Sequence, residues 1–335
     1  MQLTRFSRFL IVMLILGGIY LAYQKFSPVL QEKFGVQPTE APATLPENTT
    51  PGEAPAMEKP ASSATEDRSG FSYVAPEPVN GRLKGVVELG AAGFNSFIIL
   101  IDNQKNWKLE KASFGTSLVH ENMATDDDIR KGLKEYIRGM LDYGVPGKDI
   151  HFVVSSGAKN EPKVVKIANG LKSLGYFVNE VTAQQEGTFG LNCVMPPSFS
   201  DQAFMIDMGS GNTKISWRGP RGIQAYEGHG SKYFQKSIPD EEVYKEMRRV
   251  VAQIPSANRN YCFIIGGIPY ELAKQVRNAK ERYTVLKAPG EYKADGEKQR
   301  AGLNIYKAIA DETGCKNFVF DWDANFTIGF LLGLK

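Results

Sequence analysis

From Arg82 onward the chain alternates between short runs rich in Val, Ile, Phe and Leu and longer stretches whose apolar residues recur every three or four positions. The first pattern predicts strands and the second amphipathic helices. "LKGVVEL" and "FNSFIILI" read as two strands joined by a turn over Gly90–Gly93. "DDDIRKGLKEYIRGMLDYG" predicts a helix, with Asp126 to Asp128 at its N-terminal end and Gly144 beyond its last turn. Strand "IHFVVSS", helix "EPKVVKIANGLKSLG" with Pro162 near its start, strand "YFVNEV" and a helical stretch from Ala183 follow. The cycle then restarts. "DQAFMID" and "TKISW" form a second strand–turn–strand, and "DEEVYKEMRRVVAQI" is a helix. "YCFIIGGIPYELAKQV" is a strand, a Gly-Gly turn and a helix with Pro269 in its first turn. Helix "AGLNIYKAIADE", strand "NFVFDW" and helix "ANFTIGFLLGL" close the chain. Each half opens with a hairpin around a glycine turn, which predicts an α/β fold of two related lobes, residues 81–200 and 201–335.

The N-terminal part is different material. Phe9 to Tyr23 carries no charge and is bracketed by Arg5 and Arg8 before it and Lys25 after it. A spanning helix needs about 20 apolar residues; Arg8 and Lys25 can snorkel and lengthen this one. A cleaved signal peptide is the rival, but Tyr20, Leu21 and Ala22 put a bulky ring where a small residue is wanted. Residues 1–36 are therefore expected to hold one transmembrane anchor. Arg5, Arg8 and the amino terminus outweigh Lys25 and Lys33, which points to a cytoplasmic N-terminus, a single-pass inner-membrane protein and a periplasmic folded part. Residues 37–80, with "QPTEAPATLPENTTPGEAPAMEKPASSATEDRSG", are too poor in large apolar residues to bury a core and read as a disordered linker.

Composition narrows the classes. The 335 residues are 42% hydrophobic and 23% charged, normal for a folded protein. A net charge of +3, with no basic tract and no zinc-finger spacing, excludes nucleic acid as the expected partner. Cys193, Cys262 and Cys315 are far apart and odd in number, so they read as buried core residues and not as a disulfide or metal framework.

The chemistry concentrates in the turns. In "IDMGSGNTK", Gly209 and Gly211 let the backbone turn with unusual dihedrals and approach a ligand, and exposed N–H groups make an anion-binding concavity. Ser210, Asn212 and Thr213 add donors suited to phosphate oxygens, and Asp207 at the strand end is placed to hold a hydrated Mg²⁺. The bland alternative is a plain hairpin with a solvated Asp. The first hairpin repeats the plan: Glu88, then Gly90 and Gly93, then Asn95 and Ser96. Two such hairpins can clamp one phosphate chain from both sides. "VTAQQEGTFGLN" puts Glu186 at a helix start, where a carboxylate either caps the helix or deprotonates an attacking water. Gly266 and Gly267 either form a tight strand-to-helix turn or bare backbone against a nucleotide.

With these residues in view, Leu83 to Lys335 resembles the exopolyphosphatase and guanosine pentaphosphate phosphatase (Ppx/GppA) family of the actin, Hsp70 and sugar-kinase superfamily. "ELGAAGFNSFIILI" looks like its first phosphate loop, and "VVSSGAKN" like its Thr-Ser-Ala-x-Arg stretch, with Lys159 in the Arg place as a phosphate ligand. "TAQQEGTFGL" looks like the helix start bearing the catalytic acid, here Glu186. "IDMGSGNTK" looks like the second phosphate loop, and "CFIIGGIPYELAK" like the Gly-Gly-Thr segment. The resemblance implies a two-lobed actin-like ATPase (ribonuclease H-like) fold and a Mg²⁺ held by Asp207 and Glu88. The departures are Glu88 for Asp, Gln185 for one Glu of a pair, Gly187 and Thr188 for Ala and Arg, and Lys214 where an acid is common.

Two functions follow. One is a membrane-anchored, Mg²⁺-dependent phosphoanhydride hydrolase acting on polyphosphate or a nucleotide polyphosphate, with Glu186 positioning water. The other is a non-catalytic actin-like module that binds a phosphate-containing ligand or a partner protein. A filament-forming relative is disfavoured, since the stretch between Gly230 and Tyr261 is short for the extra surface polymerisation needs.

Overall fold

The computed structural model describes residues 71–90, 93–115, 134 and 137–334. The expected anchor, nearly all of the linker, the two residues between Gly90 and Gly93 and the start of the helix expected from Asp126 lie outside them. Among the described residues no helix is long and apolar enough to cross a membrane.

Two sheets carry the fold. The first contains β1 (Arg82–Gly90), β2 (Gly93–Ile101), β3 (Trp107–Gly115), β4 (Ile150–Val154) and β5 (Val178–Glu180), in the order β3-β2-β1-β4-β5. β1 to β3 form an antiparallel meander, and β4 and β5 add in parallel. The second contains β6 (Ala203–Met208), β7 (Asn212–Gly219), β8 (Gly222–His229), β9 (Tyr261–Gly266), β10 (Tyr283–Val285) and β11 (Asn317–Asp321), in the order β10-β11-β9-β6-β7-β8. Read from β8, this is the same plan again, a meander followed by two parallel strands, with β10 added antiparallel at the edge.

The expected hairpins are thus three-stranded meanders. β3, "WKLEKASFG", and β8, "GIQAYEGH", are not marked by the apolar pattern: each is a sheet edge, with charges interrupting β3 and glycines and mixed polar residues interrupting β8. Charges there protect an edge against further pairing and also blur the apolar pattern.

Six helices with fully described ends cover the sheets: α1 (Pro162–Ser173), α2 (Ala183–Val194), α3 (Asp240–Val251), α4 (Gly267–Lys274), α5 (Gly296–Thr313) and α6 (Phe326–Gly333). Their ends follow local chemistry. Pro162 opens α1, three acids open α3 with Arg248 and Arg249 closing it, and α5 stops at left-handed Gly314. Alternation along the strands sorts the core. Phe204, Ile206 and Met208 of β6 face α3 and α5, whereas Ala203 and Met205 face the interior between the sheets. That interior is filled by α2 and α6, which pack on each other. All three cysteines are free and buried, as expected.

Ahead of β1, residues 71–79 run as an extended strap. Phe71 and Tyr73 enter an aromatic cluster with Phe199, Tyr261, Phe263 and Tyr283, at ring separations of 4.9–6.4 Å. The strap then reaches the β2–β3 turn, where Val79 N–H donates to the Asp102 carboxylate at 3.1 Å.

The α2–α6 contact depends on Gly329: a Cβ there would lie 1.9 Å from the backbone oxygen of Phe189. Helix propensity alone favours Gly→Ala by about 1 kcal/mol. We predict the opposite sign for Gly329→Ala, a destabilisation of about 1–3 kcal/mol from overpacking, measured by denaturant unfolding. Gly333→Ala, whose Cβ would meet Phe189 only at 3.8 Å, should stay within about 0.5 kcal/mol of the parent or improve on it.

Candidate functional site

The ends of β1 and β6 meet. Each carries an acid two residues before a turn glycine, and each acid faces a β-ladder partner: Glu88 opposite Asn95, Asp207 opposite Lys214. Successive residues alternate faces, so Glu88, Asn95, Asp207 and Lys214 turn toward the interior between the sheets. Two expected phosphate ligands turn the other way. Ser96 shares its face with Phe94 and Ile98, on the outer core. Thr213 is fully buried and donates its hydroxyl to the His229 carbonyl at 2.7 Å. Neither reaches the interlobe side, and this follows from the period of two along a strand.

Lys214 organises the remaining groups. Its ammonium lies 2.6 Å from Glu186 Oε2 and 3.7 Å from Asp207 Oδ2, and 5.8 Å from the centre of the Phe326 ring. Its side chain is 5% exposed, that of Glu186 0% and that of Asp207 10%, so little water screens the triad. Burial alone would lower the lysine's pKa, but Asp207 and Glu186 outweigh it and hold the ammonium protonated above its ordinary range.

Glu186 sits in the first turn of α2 but neither caps it nor meets water. Thr182 and Gln185 form the capping box. The Glu186 carboxylate accepts the Ser156 N–H at 2.6 Å and the Ser156 hydroxyl at 2.9 Å, besides the lysine. Burial pushes its carboxyl up. The expectation of a water-positioning base therefore meets an acid whose two oxygens are both engaged.

Glu88 is held by amides. Asn95 Nδ2 donates to its Oε2 at 3.0 Å and Asn325 Nδ2 to the same oxygen at 3.1 Å. Burial, with Asp207 nearby, raises its pKa. Asn325 also caps α6 through the Thr327 N–H at 2.8 Å, so one side chain ties that helix start to β1. Asn95 is thereby a support for Glu88.

In the second turn, Asn212 Nδ2 donates to Glu227 at 2.7 Å and to Ser156 Oγ at 3.1 Å. Gly209 N–H is used by the Asn212 carbonyl at 3.0 Å, and half-buried Ser210 accepts the Lys232 N–H at 3.0 Å. Gly211 is exposed at the tip, against Gly157. Neither Gly209 nor Gly211 adopts left-handed backbone. What excludes a side chain at Gly209 is room: a Cβ would lie 2.8 Å from the Asn212 carbonyl oxygen. Lys159 is exposed on the turn after β4, three residues from Ser156. Gly90 and Gly93 pair at the end of the β1–β2 ladder. Gly266, at φ +110°, would place a Cβ 2.3 Å from the Met208 carbonyl oxygen, so packing demands glycine there. Gly267 opens α4 with free space around it.

The residues present do not fit a divalent ion. Mg²⁺ prefers an octahedron of oxygens at about 2.1 Å, whereas Asp207 here has an ammonium beside it and Glu88 has two amide donors on its Oε2. Among the described residues no group of three or more His, Cys, Asp or Glu is arranged to hold a metal. The expectation of a shared Mg²⁺ at Asp207 and Glu88 therefore has no support in this geometry.

Ser156, Glu227 and Asn325 went unselected. Asn325 shows in sequence as a cap before an apolar run, but its partner Glu88 lies 237 positions away.

No protein-family model and no curated protein matches the chain. Solved structures do. The Ppx/GppA family member of Aquifex aeolicus is 15% identical, with a TM-score of 0.57, over 75% of this chain and 97% of that one. An exopolyphosphatase from Cytophaga hutchinsonii is 14% identical, with a TM-score of 0.56, over 76% and 99%. At these identities the likeness is one of architecture: the chain has the fold of the Ppx/GppA proteins.

Proposed function

We propose that this chain is a phosphate-chain receptor of Ppx/GppA fold that binds its ligand between the two glycine hairpins without hydrolysing it. The observation that carries the reading is the engagement of Glu186. Ser156 holds one oxygen, Ser156 and Lys214 hold the other, and the carboxylate is fully buried, so it is committed to an ion pair and is not set against a water. Recognition remains available to the outward elements, the Gly211 tip, Ser210 and Lys159. The exopolyphosphatase neighbour supports polyphosphate as the first ligand to try, and the open backbone at Gly267 supports a nucleotide polyphosphate as the second. Phe9 to Tyr23 tethers the receptor to the inner membrane, with the folded part in the periplasm; a protein partner there is the other ligand class that suits a silent site.

A second reading, hydrolysis, is favoured by one observation. Burial lifts the Glu186 carboxyl toward the range of a general base, at a helix start beside the second phosphate turn. It requires Lys214 to leave Glu186 when substrate arrives.

Three outcomes are expected. Full-length protein should release no phosphate from polyphosphate, a guanosine polyphosphate or a nucleoside triphosphate beyond a Glu186→Gln control; release that the control abolishes would establish the hydrolase. Polyphosphate at a hundred times its dissociation constant should stabilise the fold by about 2.7 kcal/mol, read as a rise in melting temperature; no rise with any of the three compounds would remove the receptor. A periplasm-active reporter fused after Lys335 should be active, and activity only of a cytoplasmic reporter would reverse the orientation.

A further inference from the structure

We infer that Lys214 is a resident cation, a side chain that takes the place between the two lobes where a hydrated divalent ion would otherwise balance the carboxylates, and that it makes the site independent of metal. Four observations place the ammonium there. Lys214 stands directly opposite Asp207 in the β6–β7 ladder, so the backbone register places the root of the lysine side chain beside the acid. Its Nζ lies 3.5 Å from the position a Cβ on Gly209 would occupy, immediately beneath the second phosphate turn. It contacts Glu186 at 2.6 Å and Asp207 at 3.7 Å, and thus draws an acid from α2 and an acid from β6 onto one charge. The third acid, Glu88, needs no cation of its own, because Asn95 and Asn325 both donate to it.

A bound divalent ion and this ammonium exclude one another. An ion ligated by Asp207 would sit about 2.1 Å from its oxygen, on the interior face that the lysine shares, and two positive centres would face each other in a site closed to water. Displacing the lysine would strip Glu186 of its buried partner. Swinging it outward would also give up its place over the Phe326 ring, 5.8 Å from the ring centre. The cation is therefore built in, carries one charge where a metal carries two, and has no exchangeable ligand position for water.

The inference does not depend on what enters the cleft, and its test uses Mn²⁺ alone, read by electron paramagnetic resonance on the full-length protein. The wild-type chain should bind Mn²⁺ no more tightly than its Asp207→Asn variant. Lys214→Gln should bind it at least about tenfold more tightly, and adding Asp207→Asn to that variant should abolish the gain. Lys214→Glu should melt well below wild type in chelator and recover when Mn²⁺ is added. Tight Mn²⁺ uptake by the wild-type chain that Asp207→Asn removes would overturn the inference, and this arm needs no lysine variant to fold. A folded Lys214→Gln with no gain, or a Lys214→Glu that Mn²⁺ does not rescue, would overturn it as well. Loss of phosphate-compound binding in any of these proteins bears on the receptor reading alone.

Discussion

A positive charge enclosed between two lobes cannot stand without anions around it, and much of the interlobe arrangement follows from Lys214. The buried ammonium requires a carboxylate at contact distance, which Glu186 supplies; Glu186 in turn requires donors for its remaining lone pairs, which Ser156 supplies from the turn after β4. Ser156 then anchors Asn212, whose amide also holds Glu227. One ion pair thus fixes the β4 turn, the start of α2 and the second glycine turn relative to one another. Its net contribution to stability is small, because desolvating both ions offsets their attraction, yet removing one partner would leave an unpaired buried charge at a cost of about 3–5 kcal/mol. Its main effect is on geometry.

The duplication gives this its meaning. Both sheets follow the same strand order, and both first strands end in an acid two residues before a glycine. The two copies differ in the residue facing that acid. In the first lobe it is Asn95, a neutral donor; in the second it is Lys214, a charge. The asymmetry lies where the two hairpins face each other, and it separates this chain from a design in which acids on both hairpins share an ion.

The architecture was legible because it rests on periodicity and on turn residues, both of which are local. Strands such as "AFMIDM" and "YCFIIG", apolar on both faces, announce a buried sheet, and Pro162 and Gly314 mark helix ends by their own backbone chemistry. The meanders were legible only in part: β3 is broken by exposed Lys108, Glu110 and Lys111, and β8 by its glycines and polar residues, so their alternation is faint. The site was legible at the level of which turns matter and not of which atoms are free. Strand parity removes Ser96 and Thr213 from the interior face, a deduction available from the sequence once the register is known. The engagement of Glu186 was not, since Ser156 reaches it from a turn thirty positions before it and Lys214 from a strand twenty-eight positions after it. The lysine was visible as a departure from the family pattern, but its consequence depended on burial.

The strap of residues 71–79 sits differently from a simple lead-in to β1. Phe71 and Tyr73 pack against Tyr261, Phe263 and Tyr283 of the second lobe, and only afterwards does Val79 join the first lobe at Asp102. A chain crossing from one lobe to the other in this way works as a clasp. Any movement of one lobe against the other would have to pull two aromatic rings out of their seats or part Val79 from Asp102. A mechanical load arriving along the preceding polypeptide would be felt first by those rings, and so by the same clasp that ties the lobes.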